Sequence, residues 1–311
     1  MDGMPPTRRR LDNKTGSVDQ RVVLPDGRSL GYRVFGDPNG WPVIALHGTP
    51  GSRFKYSGSH DAAAAMGLRL ISVDRWGYGL SSLRRQGTLA DFGDDIGELV
   101  DRLGLDQFQV TGVSGGGPFA VAVAARLGPR VTALALVSPV GILCGPAGQT
   151  WLAPFHTVCF RVLPRVPGVI PAAFHLFRGA LAVAPESTMA LVLSRAPEID
   201  RRAIAHPETL RRLTEAFRSG LSAGVSGPGA DMGLFRKPWN LDLNAITAPA
   251  RIWIGLEDRN VPLAAVAVLL EALPTCDRVQ LPGEGHLWVA QNSHVVMKWL
   301  ADRLLPAHQV D

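Results

Sequence analysis

A chain of 311 residues with 46% apolar side chains and a formal charge of +5 has the material for a sizeable core, which excludes wholesale disorder. No uninterrupted apolar run reaches the roughly 18 residues of a membrane span; the most apolar stretch, Val166 to Ala184, is broken by Pro167, Pro171, His175 and Arg178. Three cysteines in no spaced cluster, Cys144, Cys159 and Cys276, argue against a disulfide framework and for a reduced, cytoplasmic protein.

Residues 1–20 are polar and basic, with Arg8, Arg9 and Arg10 and no hydrophobic stretch behind them. They read as a disordered arm, not as a secretory or twin-arginine signal. Two β-favouring runs follow, Arg21–Leu24 and Ser29–Phe35, joined by the turn Pro25-Asp26-Gly27. The pattern then changes to short buried-type strands alternating with helices: Val43–Leu46, Leu68–Val73, Gln107–Thr111, Val131–Val137, Arg251–Gly255 and Arg278–Leu281. Near-continuous apolar strands of this kind predict a mostly parallel eight-stranded sheet sandwiched by helices, an α/β fold. One helix spans Thr88–Leu103, with Thr88 and Asp91 as capping residues, and another lies at about Ser293–Leu304.

From 141 to 240 the alternation stops. Segments at Thr150–Val162, Ala172–Val183, Glu186–Arg195 and Pro207–Ser219 read as helices punctuated by prolines, an all-helical cap inserted between core segments 21–140 and 241–311. This middle section holds 11 basic against 6 acidic residues, and the rest of the chain cancels. Its arginines are interleaved with aliphatics at helical spacing and no nucleic-acid motif is present, so the charge predicts no nucleic-acid partner.

The chemistry begins at Gly112-Val113-Ser114-Gly115-Gly116, between the strand ending at Thr111 and a helix opening on Pro118. A Gly-x-Ser-x-Gly turn between strand and helix is a nucleophile elbow, so tight that neighbouring side chains must be absent, and it exposes the serine oxygen. A serine needs a base, and the base needs a group to fix its tautomer. Downstream, Gly255-Leu256-Glu257-Asp258 follows one strand and Gly283-Glu284-Gly285-His286 follows the last. Both stand at the strand ends where open α/β sheets collect reactive groups. Glu257 and Glu284 are the rival acids. No zinc spacing, P-loop or dinucleotide fingerprint is present, so no cofactor or metal is expected.

These features, with His47-Gly48-Thr49-Pro50-Gly51 and Asp74-Arg75-Trp76-Gly77-Tyr78-Gly79-Leu80-Ser81, resemble the α/β-hydrolase superfamily, in its serine-hydrolase form with a helical cap. The resemblance runs from about Arg21 to Leu305. It implies Ser114 as nucleophile, His286 as general base, Asp258 as its orienting acid, and the backbone N–H groups of Thr49 and Gly115 as the oxyanion hole. It also implies His47 as a brace of the oxyanion loop and Asp74 as the tie of its own glycine-rich loop. Trp76 and, in the cap, His156 are candidates for the substrate pocket. Dehalogenases and epoxide hydrolases of this superfamily carry aspartate at the elbow, so serine implies acyl transfer from a small-molecule ester, thioester or lactone.

Two further activities are compatible with these residues: a proline-iminopeptidase-like aminopeptidase, suggested by the His47–Gly51 stretch, and a hydrolase of carbon–carbon bonds. A peptidase of that kind reads the substrate amine with cap acids. This cap has Glu186, Glu198, Asp200, Glu208, Glu215 and Asp231, several of which read as helix caps or first-turn charges. A ligand sensor on the same fold is the non-enzymatic alternative. The sequence does not specify an oligomeric state.

Overall fold

The computed structural model describes residues 18–145, 148–149, 152–194 and 196–304. Six strands come first: β1 (Gln20–Val23), β2 (Ser29–Gly36), β3 (Trp41–Leu46), β4 (Leu68–Val73), β5 (Phe108–Val113) and β6 (Val131–Val137). A small pair, β7 (Cys144–Gly145) and β8 (Gly148–Gln149), stands apart, and β9 (Ala250–Gly255) and β10 (Cys276–Leu281) complete the set. The main sheet has eight strands in the order β1-β2-β4-β3-β5-β6-β9-β10. The β1–β2 and β2–β4 pairs are antiparallel and every other pair is parallel. Val43, Ile44, Ala45 and Leu46 of central β3 are wholly inaccessible, as expected of a parallel strand covered on both faces.

Helices α1 (His60–Ala65), α2 (Leu89–Arg102) and α3 (Gly117–Leu127) follow β3, β4 and β5. The predicted cap at Thr88 is a full capping box with Asp91, which satisfies otherwise orphaned amides of the first turn. Between β6 and β9 run α4 (Pro154–Thr157), α5 (Val169–Val183), α6 (Pro185–Leu193), α7 (Glu198–Ala205), α8 (Pro207–Gly220) and α9 (Ser226–Phe235). After β9 come α10 (Leu263–Ala272) and, last, α11 (Val289–Ala301), which begins before the predicted Ser293. Among the described residues no single helix is long and apolar enough to cross a membrane.

Two expectations need correction. The insertion is not all-helical, because β7 and β8 pair antiparallel near its start, where Gly145 and Gly148 disfavour a helix. Of the disordered arm expected over 1–20, the last residues belong to the sheet edge. Residues 1–17 lie outside the described residues, but Gln20 already pairs with Tyr32 in the sheet, and Asp19 forms ion pairs with Arg53 and Arg33.

Candidate active site

Each residue singled out by the motifs lies at the C-terminal edge of the sheet. Ser114 directly follows β5 and is held at φ 54°, a left-handed conformation that a non-glycine residue adopts only when its surroundings impose it. The space around it shows why. A Cβ on Gly112 would lie 2.6 Å from the Gly116 carbonyl oxygen, and one on Gly116 would collide with the Leu46 and His47 carbonyls. Only glycine lets the turn close against β3. Opposite the serine, a Cβ on Gly48 would be 3.2 Å from Ser114 Cβ and 3.7 Å from Ser114 Oγ, so the absent side chain of Gly48 leaves the nucleophile's approach open.

His286, in the loop after β10, holds Asp258 Oδ2 at 2.7 Å through Nδ1. The Asp258 side chain is fully buried, and its other oxygen accepts the amides of Asn260 at 2.8 Å and Val261 at 3.2 Å. Burial alone would raise this carboxyl; His286 and the two amides together hold it below the usual 3.8. For His286, burial acts downward, but the Asp258 charge and hydrogen bond, with Asp200 behind them, raise it above 6.5 against a smaller opposing effect of Lys55. Of the rival acids, Glu257 is exposed, while Glu284 lends its backbone carbonyl to the Glu257 amide at 2.9 Å. Ser114 Oγ makes no hydrogen bond to His286 in this arrangement; such a contact commonly tightens only with substrate.

The Thr49 loop rests on a buried polar cluster. Arg75 donates to the His47 and Gly48 carbonyls at 3.0 and 2.9 Å and to Thr49 Oγ1 at 2.9 Å. Its remaining nitrogen meets Asp231 Oδ1 at 2.7 Å. Asp231 Oδ2 in turn accepts the hydroxyls of Thr49 and Tyr78, both at 2.6 Å. His47 is the predicted brace: Nε2 accepts the Arg75 amide at 3.0 Å, so Nδ1 carries the proton and donates to Gly48 O at 2.8 Å. Burial, then the Arg75 charge, hold its pKa well below 6.5 and keep it neutral. Asp74 ties its own loop, accepting the amides of Arg53 at 2.7 Å and Leu80 at 2.9 Å.

Two cap carboxylates that read as ordinary helix charges are parts of this frame. Asp231 belongs to α9, and Asp200, in the first turn of α7, accepts the amides of His286 at 3.2 Å and Leu287 at 2.8 Å. One therefore fastens the cap to the Thr49 loop and the other to the His286 loop. Trp76 does not border the pocket: it is 2% exposed, packs edge-on against Phe92 and donates to Asp95 at 2.8 Å. His156 lies at the seam between cap and core, its Nε2 3.2 Å from the carbonyl oxygen of Arg259, one residue past Asp258. Among the described residues no group of three or more His, Cys, Asp or Glu is placed to hold a metal ion.

The Asp231 cluster carries a stability prediction. Removing one member of a buried ion pair leaves an uncompensated charge, at a cost of about 3–5 kcal/mol. Asp231→Ala, which strands the wholly buried Arg75, is expected to lower unfolding stability by that amount in urea titrations; a loss under about 1 kcal/mol would remove the cluster from the frame.

Comparison with known proteins bears on the fold. The sequence profile of the α/β-hydrolase fold matches residues 42–158. Haloalkane dehalogenase 2 of Mycobacterium tuberculosis is 31% identical over 144 residues, 45% of either chain, so the match spans less than half of that relative. The uncharacterized hydrolase YcgS of Bacillus subtilis is 26% identical over 86% of this chain and 92% of its own. Among solved structures, an α/β-hydrolase fold protein from Nakamurella multipartita superposes with a TM-score of 0.69 at 25% identity, covering 92% of this chain and 99% of its own. Residues 42–158 match the α/β-hydrolase fold, and the chain shares that fold over most of its length.

Proposed function

We propose that this hydrolase cleaves a small, largely apolar carboxylic ester, thioester or lactone through an acyl-enzyme on Ser114. The observation that carries the reading is the strained Ser114 elbow beside the buried His286–Asp258 pair. His286 Nε2 takes the Oγ proton while Asp258 holds Nδ1–H and stabilises the imidazolium that forms. The oxygen of the attacked carbonyl turns toward the N–H groups of Thr49 and Gly115. One such donor contributes on the order of 2.7–4 kcal/mol to the transition state. His286 then protonates the leaving group, and water attacks the acyl-enzyme with His286 again as base. The Arg75–Asp231 cluster serves this step by fixing the loop that presents the Thr49 amide.

The peptidase alternative is disfavoured by the state of the cap acids. Asp231 is taken by Arg75 and Asp200 by two backbone amides, while Glu198 and Glu208 pair with arginines of their own helices. None of these four is left to greet a substrate ammonium. The free cysteines fit a reduced cytoplasmic setting.

Hydrolysis of p-nitrophenyl butyrate followed against pH tests the reading. Only neutral His286 can accept the proton, and its pKa lies above 6.5. The value of kcat/KM is therefore expected to rise with pH through an inflection above 6.5 and to be low at pH 5. An acid limb below pH 6, or turnover of amino-acid anilides faster than of the ester, would count against the assignment.

A further inference from the structure

Next in the chain to Ser114 and His286, though lined by neither, is a pocket that the proposed chemistry does not use. Its walls are the segment Arg53–Ser59 after β3, the inner face of α8, and the start of α11. Val113 and Leu287, the neighbours of Ser114 and His286 in the chain, both line it. The surface is mostly apolar, with Val113, Leu213, Ala216 and Leu287 among its residues. Its charged members are Lys55 and Arg212, and no carboxylate lines it.

Lys55 is the unexplained group. Among the described residues its ammonium has no hydrogen-bond or ion-pair partner, and burial is the one influence on it, drawing its pKa from 10.5 down to about 8. Arg212 spends Nε on Glu208 at 2.6 Å and lays its Nη1 end over Gly58. Neither of its Nη atoms has an acceptor among the described residues. The one aromatic hydroxyl in the lining, that of Tyr56, is committed to the Leu46 carbonyl at 3.2 Å. Lys55 is half-buried, its ammonium set among apolar walls, and a cation in such a place gains from an anionic partner. Among the described residues no carboxylate lines the pocket to pair it, so a small anion entering between the apolar walls would meet an uncommitted ammonium.

We propose that Lys55, with Arg212 at its side, binds a carboxylate carried by the substrate, so that the preferred ester is a monoanion such as a half-ester of a short dicarboxylic acid. This rests on the ester-hydrolase reading above and narrows it. Val113 and Leu287 in the lining and the reach of the Lys55 charge to His286 set the ammonium near the proposed reacting centre, with apolar wall for the methylenes of a short chain.

Two measurements test the subsite separately from the hydrolase reading. The first compares kcat/KM for the p-nitrophenyl half-ester of glutaric acid with that for neutral p-nitrophenyl pentanoate. The wild-type protein is expected to favour the anion. Lys55→Met is expected to lower the anion-to-neutral ratio by about 10–100-fold, the worth of one charge-assisted hydrogen bond, and Lys55→Arg to restore most of it. The second is calorimetric titration of the Ser114→Ala protein with monomethyl glutarate, which needs no turnover. Binding is expected, with affinity at least about tenfold weaker once Lys55→Met is added. An unchanged ratio in Lys55→Met, or equal or absent binding by the two calorimetric proteins, overturns the proposal. Failure to hydrolyse either ester refutes the hydrolase reading and leaves the titration to decide the subsite.

Discussion

Ser114→Ala is expected to lower kcat for p-nitrophenyl butyrate by about a million-fold, the scale on which removing a triad nucleophile acts. KM should change little, because the substitution removes a bond formed during the reaction and leaves the pocket intact. The fold should survive. The Ser114 hydroxyl has no hydrogen-bond partner among the described residues, and the elbow is shaped by Gly112 and Gly116 packing against carbonyl oxygens, contacts that alanine at 114 leaves in place. Stopped assays on the purified variant, beside its circular dichroism spectrum and melting curve, check both halves. Residual hydrolysis a thousandfold or so above water is expected from the oxyanion amides and binding alone. A variant retaining a tenth of wild-type kcat would remove Ser114 from the chemistry.

Asp258→Asn is expected to lower kcat by about ten-thousand-fold with the structure kept. The asparagine carbonyl can still accept the Asn260 and Val261 amides that Asp258 Oδ1 accepts now. Its NH2 group, however, faces His286 Nδ1, where a carboxylate oxygen lies at 2.7 Å. A donor there favours the tautomer with the proton on Nε2, which cannot take the serine proton. Loss of the Asp258 charge also removes the largest influence holding the His286 pKa up, so the acid limb of the residual activity should move to lower pH. Glu257 cannot substitute, since it points into solvent. A pH–rate series on wild type and variant would show the drop and the shift; a fall of less than tenfold would mean that another acid orients His286.

Motifs made the sheet, the elbow and the Asp258–His286 pair legible because each is local: a few residues fix a strand end, a tight turn and the side chain just beyond it. Asp231 and Asp200 were not legible, because their partners lie far away in the chain. Asp231 meets Arg75 across 156 positions and Thr49 across 182, and no local pattern marks such a pairing. Helix α9, which carries Asp231, was hidden as well, since Ser226-Gly227-Pro228-Gly229 reads as a breaker. Pro228 is tolerated there because it falls in the first turn, where its missing N–H has no intrahelical acceptor. Gly227 is needed because a Cβ would lie 2.7 Å from the Tyr78 ring. Trp76 presents the converse case: its motif neighbours Arg75 and Tyr78 brace the Thr49 loop, while its own side chain turns back into the core toward Phe92 and Asp95.

In the proposed reaction Ser114 Oγ is the nucleophile that carries the covalent intermediate, and a fluorophosphonate probe addresses it without assuming any substrate. The protein is labelled, digested with trypsin and mapped by mass spectrometry. One phosphonyl adduct is expected, on the peptide Leu103–Arg126, localised by fragmentation to Ser114. An adduct on any other residue, or an unlabelled protein under conditions that label a control serine hydrolase, would contradict it.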